Sequence, residues 1–230
     1  FANAMSQVVL EEGLADLEFV KRQTDLPLLV RMDTRRLLRA SDLGTGAADQ
    51  FHWLDAKTGK VVEAPKATLD PGAVDPSLAG ATHVRLASGE EVEVRPVLAL
   101  LRAMLDAHYT PEKVQAVCGV HPETTRMLAR KIASRKTRIM MGWNSGKYYH
   151  GDLMERAMML ILGLTGNWGK HGTGARSWAV GLNDGMYSVL LKPQAGPEMT
   201  LATRVMRNAM VESIIEADPT LTDEMASYAF

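Results

Sequence analysis

The sequence has a single cysteine, Cys118, among 230 residues. One thiol excludes an internal disulfide. It equally excludes a self-contained iron–sulfur cluster, which needs about four thiolates or substitutes. Cys118 closes the apolar run Val114-Gln115-Ala116-Val117-Cys118 and reads as a buried core thiol rather than a nucleophile. Also missing is any run of about 18 apolar residues, so no segment reads as membrane-spanning. The most apolar stretch, Met158 to Leu164, follows Asp152, Glu155 and Arg156 on the same helical segment and reads as a core helix. Charge of one sign is lacking too. The formal net charge is -1, and nothing argues for a nucleic-acid partner. The basic concentration from Arg126 to Arg138 reads as the polar face of a helix. The chain opens without an initiator methionine, a signal-peptide pattern or a helix cap. Phe1 to Gly13 is already helical in period, which reads as a truncated start.

What is present is ordinary globular composition, 46% hydrophobic and 23% charged, enough for one large α/β domain. The opening helix stops at Gly13, a second helix covers Leu14 to Arg22, and Leu28 to Val30 has the continuous apolar character of a strand buried on both faces. The texture then changes. Phe51–Leu54 and Val61–Glu63 flank a turn at Asp55–Lys60, and Thr82–Leu86 and Glu91–Arg95 flank a second turn, predicting two antiparallel hairpins. Helices resume at Val97, at Thr110-Pro111-Glu112 with threonine as cap, and at His121-Pro122-Glu123. Arg138 to Met141 reads as a buried strand ending in Gly142, followed by a helix whose stripe is Leu153, Ala157, Leu160, Ile161 and Leu164. A last helix covers Met199 to Ala217. The expected fold is α/β: a partial Rossmann-like, mainly parallel sheet containing Leu28–Val30 and Arg138–Met141, with flanking helices and an antiparallel hairpin insertion. The expected parts are 1–33 and 97–198 as two pieces of a cofactor-binding domain, 34–96 as the insertion, and 199–230 as a helical tail.

Two loops carry the chemistry. Gly142-Trp143-Asn144-Ser145-Gly146-Lys147-Tyr148-Tyr149-His150-Gly151 lies between strand and helix, the usual ligand position in an α/β fold. One helix later, Gly166-Asn167-Trp168-Gly169-Lys170-His171-Gly172-Thr173-Gly174 is rich in glycine, which permits positive φ and close backbone approach to a bulky ligand. Simpler motifs fail. Gly142 and Gly146 enclose three residues where a phosphate-binding Gly-x-x-x-x-Gly-Lys loop needs four, and no Gly-x-Gly-x-x-Gly is present. His150 and His171 lack the partners of a zinc site.

The run Thr165-Gly166-Asn167-Trp168-Gly169-Lys170-His171-Gly172-Thr173-Gly174, with the Asn-containing loop and histidine before it, resembles the molybdopterin oxidoreductases of the dimethyl sulfoxide reductase family. More narrowly, it resembles the branch of ethylbenzene dehydrogenase, selenate and chlorate reductases and respiratory nitrate reductase. The opening matches as well, in Ala2-Asn3-Ala4-Met5, Glu11-Glu12 and Thr24-Asp25-Leu26-Pro27-Leu28-Leu29-Val30. The resemblance implies an internal fragment of a large catalytic subunit that holds molybdenum between two molybdopterin guanine dinucleotides. Its metal ligand and its 4Fe-4S cluster would lie elsewhere in the subunit. It also implies oxygen-atom transfer or water-derived hydroxylation of a small-molecule substrate, an iron–sulfur electron-transfer partner and a periplasmic location, without direct membrane insertion.

On this resemblance Gly142, Trp143, Asn144, Gly146 and His150 approach the cofactor, as do Gly172, Thr173, Gly174 and Arg176, with arginine's fork suited to phosphate. Lys147 is the catalytic candidate, an ammonium able to stabilise an oxyanion or deliver a proton. Plainer readings stand beside these: Asn144 and His150 as helix caps, and Lys147 as an exposed loop lysine. Tyr148, Tyr149 and Trp168 read as packing residues, Met154, Met158 and Met159 as core filling, His171 as an exposed loop residue, Trp178 as packing on cofactor or core, and Asn183-Asp184-Gly185 as a turn. The rival to the enzyme is a noncatalytic nucleotide-binding or scaffolding domain of the same fold.

Overall fold

The structure is a computed structural model, and it describes residues 1–68, 70–142, 145–177, 197–222 and 226. Trp143, Asn144, Trp178 and Asn183-Asp184-Gly185 lie outside the described residues. In chain order the elements are α1 (Ala2–Glu11), α2 (Leu17–Gln23), β1 (Leu29–Arg31), α3 (Ala40–Leu43), β2 (His52–Leu54), β3 (Val61–Glu63), β4 (Thr82–Arg85), β5 (Glu91–Pro96), α4 (Val97–His108), α5 (Pro111–Cys118), α6 (Pro122–Ala133), β6 (Arg138–Met141), α7 (Gly151–Leu164), β7 (Gly174–Ser177) and α8 (Pro197–Ala217). The chain divides into one unit of Phe1–Ile139 with Asn144–Arg176, and a second of Met140–Trp143 with Ser177–Phe230. The second unit contains α8, whose Val211 is buried among mostly exposed neighbours.

The first unit has two cores. The helical core is built around α1, which is buried from Ala4 to Leu10, polar Ser6 and Gln7 included. A helix covered on all sides must have neighbours on all sides. They are α4, α6 and α7, and Val8, Val9, Leu105, Ile161 and Leu164 meet in one cluster. The polar groups that this burial traps are partly met, since Gln7 Nε2 donates to Asp106 Oδ1 at 3.0 Å. Outside the core, the Arg130 guanidinium grips Glu12 through two hydrogen bonds of 2.8 Å and holds that carboxyl below the usual carboxylate range. The basic stretch on α6 is therefore a solvated helix face with a docking contact. Thr110 caps α5 and His121 caps α6 through their side chains, and Gly13 takes φ 67° after α1.

The second core belongs to the strands. β2 pairs antiparallel with β3, and β4 with β5, at the two hairpins the sequence predicts. The single parallel sheet is not what forms. β1 pairs antiparallel with β5, giving the order β1-β5-β4, while β6 lies with β7 in a separate two-stranded sheet. The reason lies in what an apolar run reports. Leu28 to Val30 signals burial on both faces but not the direction of its partner. β5, six residues long, offers one edge to β4 and the other to β1. Leu29, Leu38, Leu54, Val84 and Val94 fill the space between the sheets.

Several single-residue expectations also change. Arg138 and Met140 of β6 are exposed, so that strand is not buried on both faces. Cys118 is exposed, because α5 is only eight residues long and turns just Pro111 and Val114 inward. Leu153, Met154 and Met159 of α7 are exposed, since the covered face of that helix lies toward its C-terminal end at Ile161, Leu162 and Leu164.

Two outcomes follow. Leu29→Ala, at a fully buried position, should cost about 2–5 kcal/mol in a denaturant melt, and a loss under about 0.5 kcal/mol would refute the strand core. Cys118 should react with a thiol reagent in the native protein. Resistance until unfolding would return it to the interior.

Candidate functional site

The two glycine-bearing loops sit at opposite ends of α7. At 14 residues, that helix separates them by roughly 21 Å at 1.5 Å per residue.

At its N-terminal end the chain leaves β6 through exposed Gly142 and forms a 3₁₀ turn at Ser145–Lys147. The turn folds back on α7. Ser145 is buried, and its hydroxyl donates to Glu155 Oε1 at 2.5 Å, while the Gly151 amide donates to the Tyr148 carbonyl at 2.8 Å. A Cβ at Gly151 would overlap the Ser145 carbonyl and the backbone of Gly146, so only glycine lets the turn lie this close. His150 precedes α7 at φ 57°, a left-handed conformation uncommon for a residue other than glycine. It caps the helix by its carbonyl, which accepts from the amides of Leu153 and Met154 at 3.1 and 3.2 Å, rather than by its ring. That ring lies 4.0 Å from the Tyr149 ring. The turn therefore presents a group of exposed side chains: Lys147, Tyr148, Tyr149 and His150, with Tyr149 91% exposed. The tyrosines are not packing residues within this chain, because the turn holds them on the outer side of α7.

At the C-terminal end of α7 the backbone is anchored before it opens. Thr165 Oγ1 donates to the Ile161 carbonyl at 2.8 Å, and the Asn167 amide donates to the Leu162 carbonyl at 2.8 Å. Asn167 is buried, and every polar atom of its side chain is used. Oδ1 accepts from the Thr137 amide at 2.8 Å, and Nδ2 donates to the Ile132 carbonyl at 3.0 Å and to Thr165 Oγ1 at 2.9 Å. One side chain thus ties the end of α6, the lead into β6 and the end of α7 together. Gly166 (φ 62°) lies against the Asp16 carboxylate, where a Cβ would collide. Asp16 in turn caps α2 through Phe19 N at 3.0 Å and donates its own amide to the Leu164 carbonyl at 2.8 Å.

Beyond this anchor, Lys170 and Thr173 close a short turn through Thr173 Oγ1, which donates to the Lys170 carbonyl at 2.7 Å. Around that turn Gly169, Gly172 and Gly174 all have positive φ, and nothing lies within 4 Å of where their Cβ atoms would be. The backbone there is bare on its outer side. Arg176 and His171 are exposed, Thr173 is half-buried, and Trp168 is 43% exposed rather than core, since its neighbour Asn167 takes the inward position. Sequence reading did not single out Asn167, Ser145, Gly151 or Asp16. For Asn167 the signal was present in the Thr-Gly-Asn motif itself. For Asp16, paired across 150 residues with Gly166, no local signal exists.

No family model matches the chain. It is 36% identical over 200 residues to the perchlorate reductase alpha subunit of Dechloromonas aromatica, covering 75% of this chain and 22% of the relative. It is 40% identical over 191 residues to the respiratory nitrate reductase alpha subunit of Haloferax mediterranei, covering 75% and 19%. A third relative is the dimethylsulfide dehydrogenase alpha subunit of Rhodovulum sulfidophilum, 38% identical over 186 residues and covering 77% and 20%. The chain spans about a fifth of the length of these curated relatives.

The anchor predicts its own cost. Asn167→Ala leaves an amide, a carbonyl and a hydroxyl without their partner and should destabilise the chain by about 1–3 kcal/mol, read from a denaturant midpoint. Asn167→Asp keeps the acceptor for Thr137 but loses both donated bonds, and should also destabilise. Wild-type midpoints in both variants would remove Asn167 from the anchoring role.

Proposed function

Because the chain belongs to the molybdopterin oxidoreductases of the dimethyl sulfoxide reductase family, we propose that it works as part of a large catalytic subunit. In this reading it cradles a molybdenum-bearing molybdopterin guanine dinucleotide and forms one wall of the substrate pocket. The observation that carries the reading is the 36% and 40% identity, over 75% of this chain, to the perchlorate and nitrate reductase alpha subunits, and the glycine-bearing turn at 169–174 accords with it. A cofactor of that size suits two loops held apart by a helix better than a single compact pocket would.

The residues present fit such a group. Gly172 and Gly174 allow close backbone approach, Thr173 supplies a hydroxyl, and the exposed Arg176 guanidinium supplies a fork for a phosphate or carbonyl. At the other end of α7, Gly146 and His150 would form the second contact, with Tyr149 beside His150 as a stacking surface. The bound cofactor supplies the redox chemistry of oxygen-atom transfer or water-derived hydroxylation. The chain's own part is to bind, to orient and to hold a proton at Lys147 Nζ, where the ammonium offsets negative charge developing on a substrate oxygen. The relatives' names include both reductases and a dehydrogenase, which accords with transfer in either direction. Electrons would pass through a 4Fe-4S cluster held elsewhere in the subunit and an iron–sulfur partner, in the periplasm.

The finer architecture belongs to the same proposal. β6, α7 and β7 follow one another as strand, helix and strand, and the two strands share a sheet. Paired in parallel, as this reading has them, they would make a crossover unit and in the whole subunit would belong to the Rossmann-like sheet.

The test is made on the full-length subunit. Elemental analysis should find stoichiometric molybdenum there, and none in the 230-residue chain by itself. Lys147→Ala should keep the molybdenum and lower turnover on the order of 100-fold. Normal turnover with full loading would dismiss Lys147. Loss of molybdenum together with turnover would make Lys147 a cofactor-retaining residue, and a metal-free wild-type subunit would overturn the reading itself.

A further inference from the structure

Two strand edges open onto one groove. β4 is the terminal strand of its three-stranded sheet, and β3 has a partner on one side only. Antiparallel ladders alternate between residue pairs that exchange backbone hydrogen bonds and pairs whose amides and carbonyls point away. The bond from Leu86 N to Glu90 O, 2.8 Å, identifies an exchanging pair at the hairpin end. By register, Val84 with Val92 and Thr82 with Val94 are exchanging pairs too, so His83 and Arg85 direct their backbone groups outward. On the other hairpin, Asp55 N to Lys60 O at 2.9 Å and Ala64 N to Phe51 O at 2.8 Å set the same alternation. It makes Trp53 with Val62 an exchanging pair and turns the backbone groups of Val61 and Glu63 outward.

All four of these residues line a single groove of about 630 Å³. Among the described residues, no backbone hydrogen bond reaches any of the four from outside its own hairpin. On the far side the two sheets are joined, through the bridge between Leu28 and Trp53, around the shared core of Leu29, Leu54, Val84 and Val94. The strands therefore follow the order β3-β2-β1-β5-β4 around that core, and the groove is the seam where the circuit fails to close. Lys60, His83 and Arg85 line it against one carboxylate, Glu63. His52, 4% exposed, also lines it. Its Nδ1 has no described hydrogen-bond partner.

We propose that this seam receives an extended strand from an accompanying subunit of the enzyme complex, with acidic side chains set toward Lys60 and Arg85. The strand would hydrogen-bond to the backbone of His83 and Arg85 on one side and of Val61 and Glu63 on the other, the mode of β-strand addition. Its inward side chains would cover Leu43 and Val61, which line the same groove. An unpaired edge is a template for another chain, and here two such edges border one groove. The assignment to an accompanying subunit rests on the reading of this chain as part of an alpha subunit.

Amide hydrogen exchange, compared between the full-length large subunit expressed alone and the same subunit in its purified complex, tests the proposal. Peptides covering 59–64 and 82–86 should exchange at least about tenfold more slowly in the complex, with β5 unchanged. Equal rates in the two samples would overturn it. So would slow exchange already present in the subunit alone, which would mean that its own polypeptide fills the seam. His83→Pro supplies a second readout, because an outward amide can be lost without breaking the ladder. It should lower co-purification of the accompanying subunit at least tenfold while molybdenum content holds, and undiminished co-purification would count against the seam. Molybdenum measured in the same preparations keeps the two ideas apart. Protection in a metal-free complex would leave strand addition standing and remove the enzyme reading.

Discussion

The buried side-chain amide of Asn167 is the constraint on which the site depends. α7 has one of the two glycine-bearing candidate loops at each end, and a helix transmits position between its ends only if one end is fixed. Asn167 fixes the C-terminal end by bonding to the end of α6, to the lead into β6 and to Thr165. Aspartate cannot replace it, because two of its three bonds are donated. Gly166 and Asp16 reinforce the anchor by locking the end of α7 against the start of α2.

This arrangement explains why the chain exposes so much that is aromatic or bare. Burial is spent on α1 and its helical neighbours and on the small strand core, both of which use aliphatic side chains. The tyrosines at 148 and 149, the lysine before them and Gly169 are left exposed by their turns, while Gly172 and Gly174 are half-buried.

Local elements were largely legible in the sequence. Thr110-Pro111 and His121-Pro122 announce helix starts, Gly13 a helix stop, and the Thr58-Gly59 and Ser88-Gly89 turns mark hairpins, because each depends on residues near in the chain. The partners of strands were not legible. An apolar run such as Leu28 to Val30 fits a parallel or an antiparallel neighbour equally, and β5 decided the matter from more than sixty residues away. Burial of individual side chains failed at Cys118, Leu153 and Tyr149 for a related reason: helical spacing says which residues share a face, not whether this chain covers it. At the candidate site the motif glycines were read directly. Asn167 was passed over because a buried, fully bonded amide looks like any loop asparagine until its three partners are known.

The central claim is that the loops at the two ends of α7 contact one extended cofactor. An experimental density map of the molybdenum-loaded full-length subunit tests it most directly. The account predicts cofactor density within about 4 Å of the backbone at 172–174 and of the side chains at 147–150. Finding both loops covered by polypeptide, with the cofactor bound elsewhere, would contradict it.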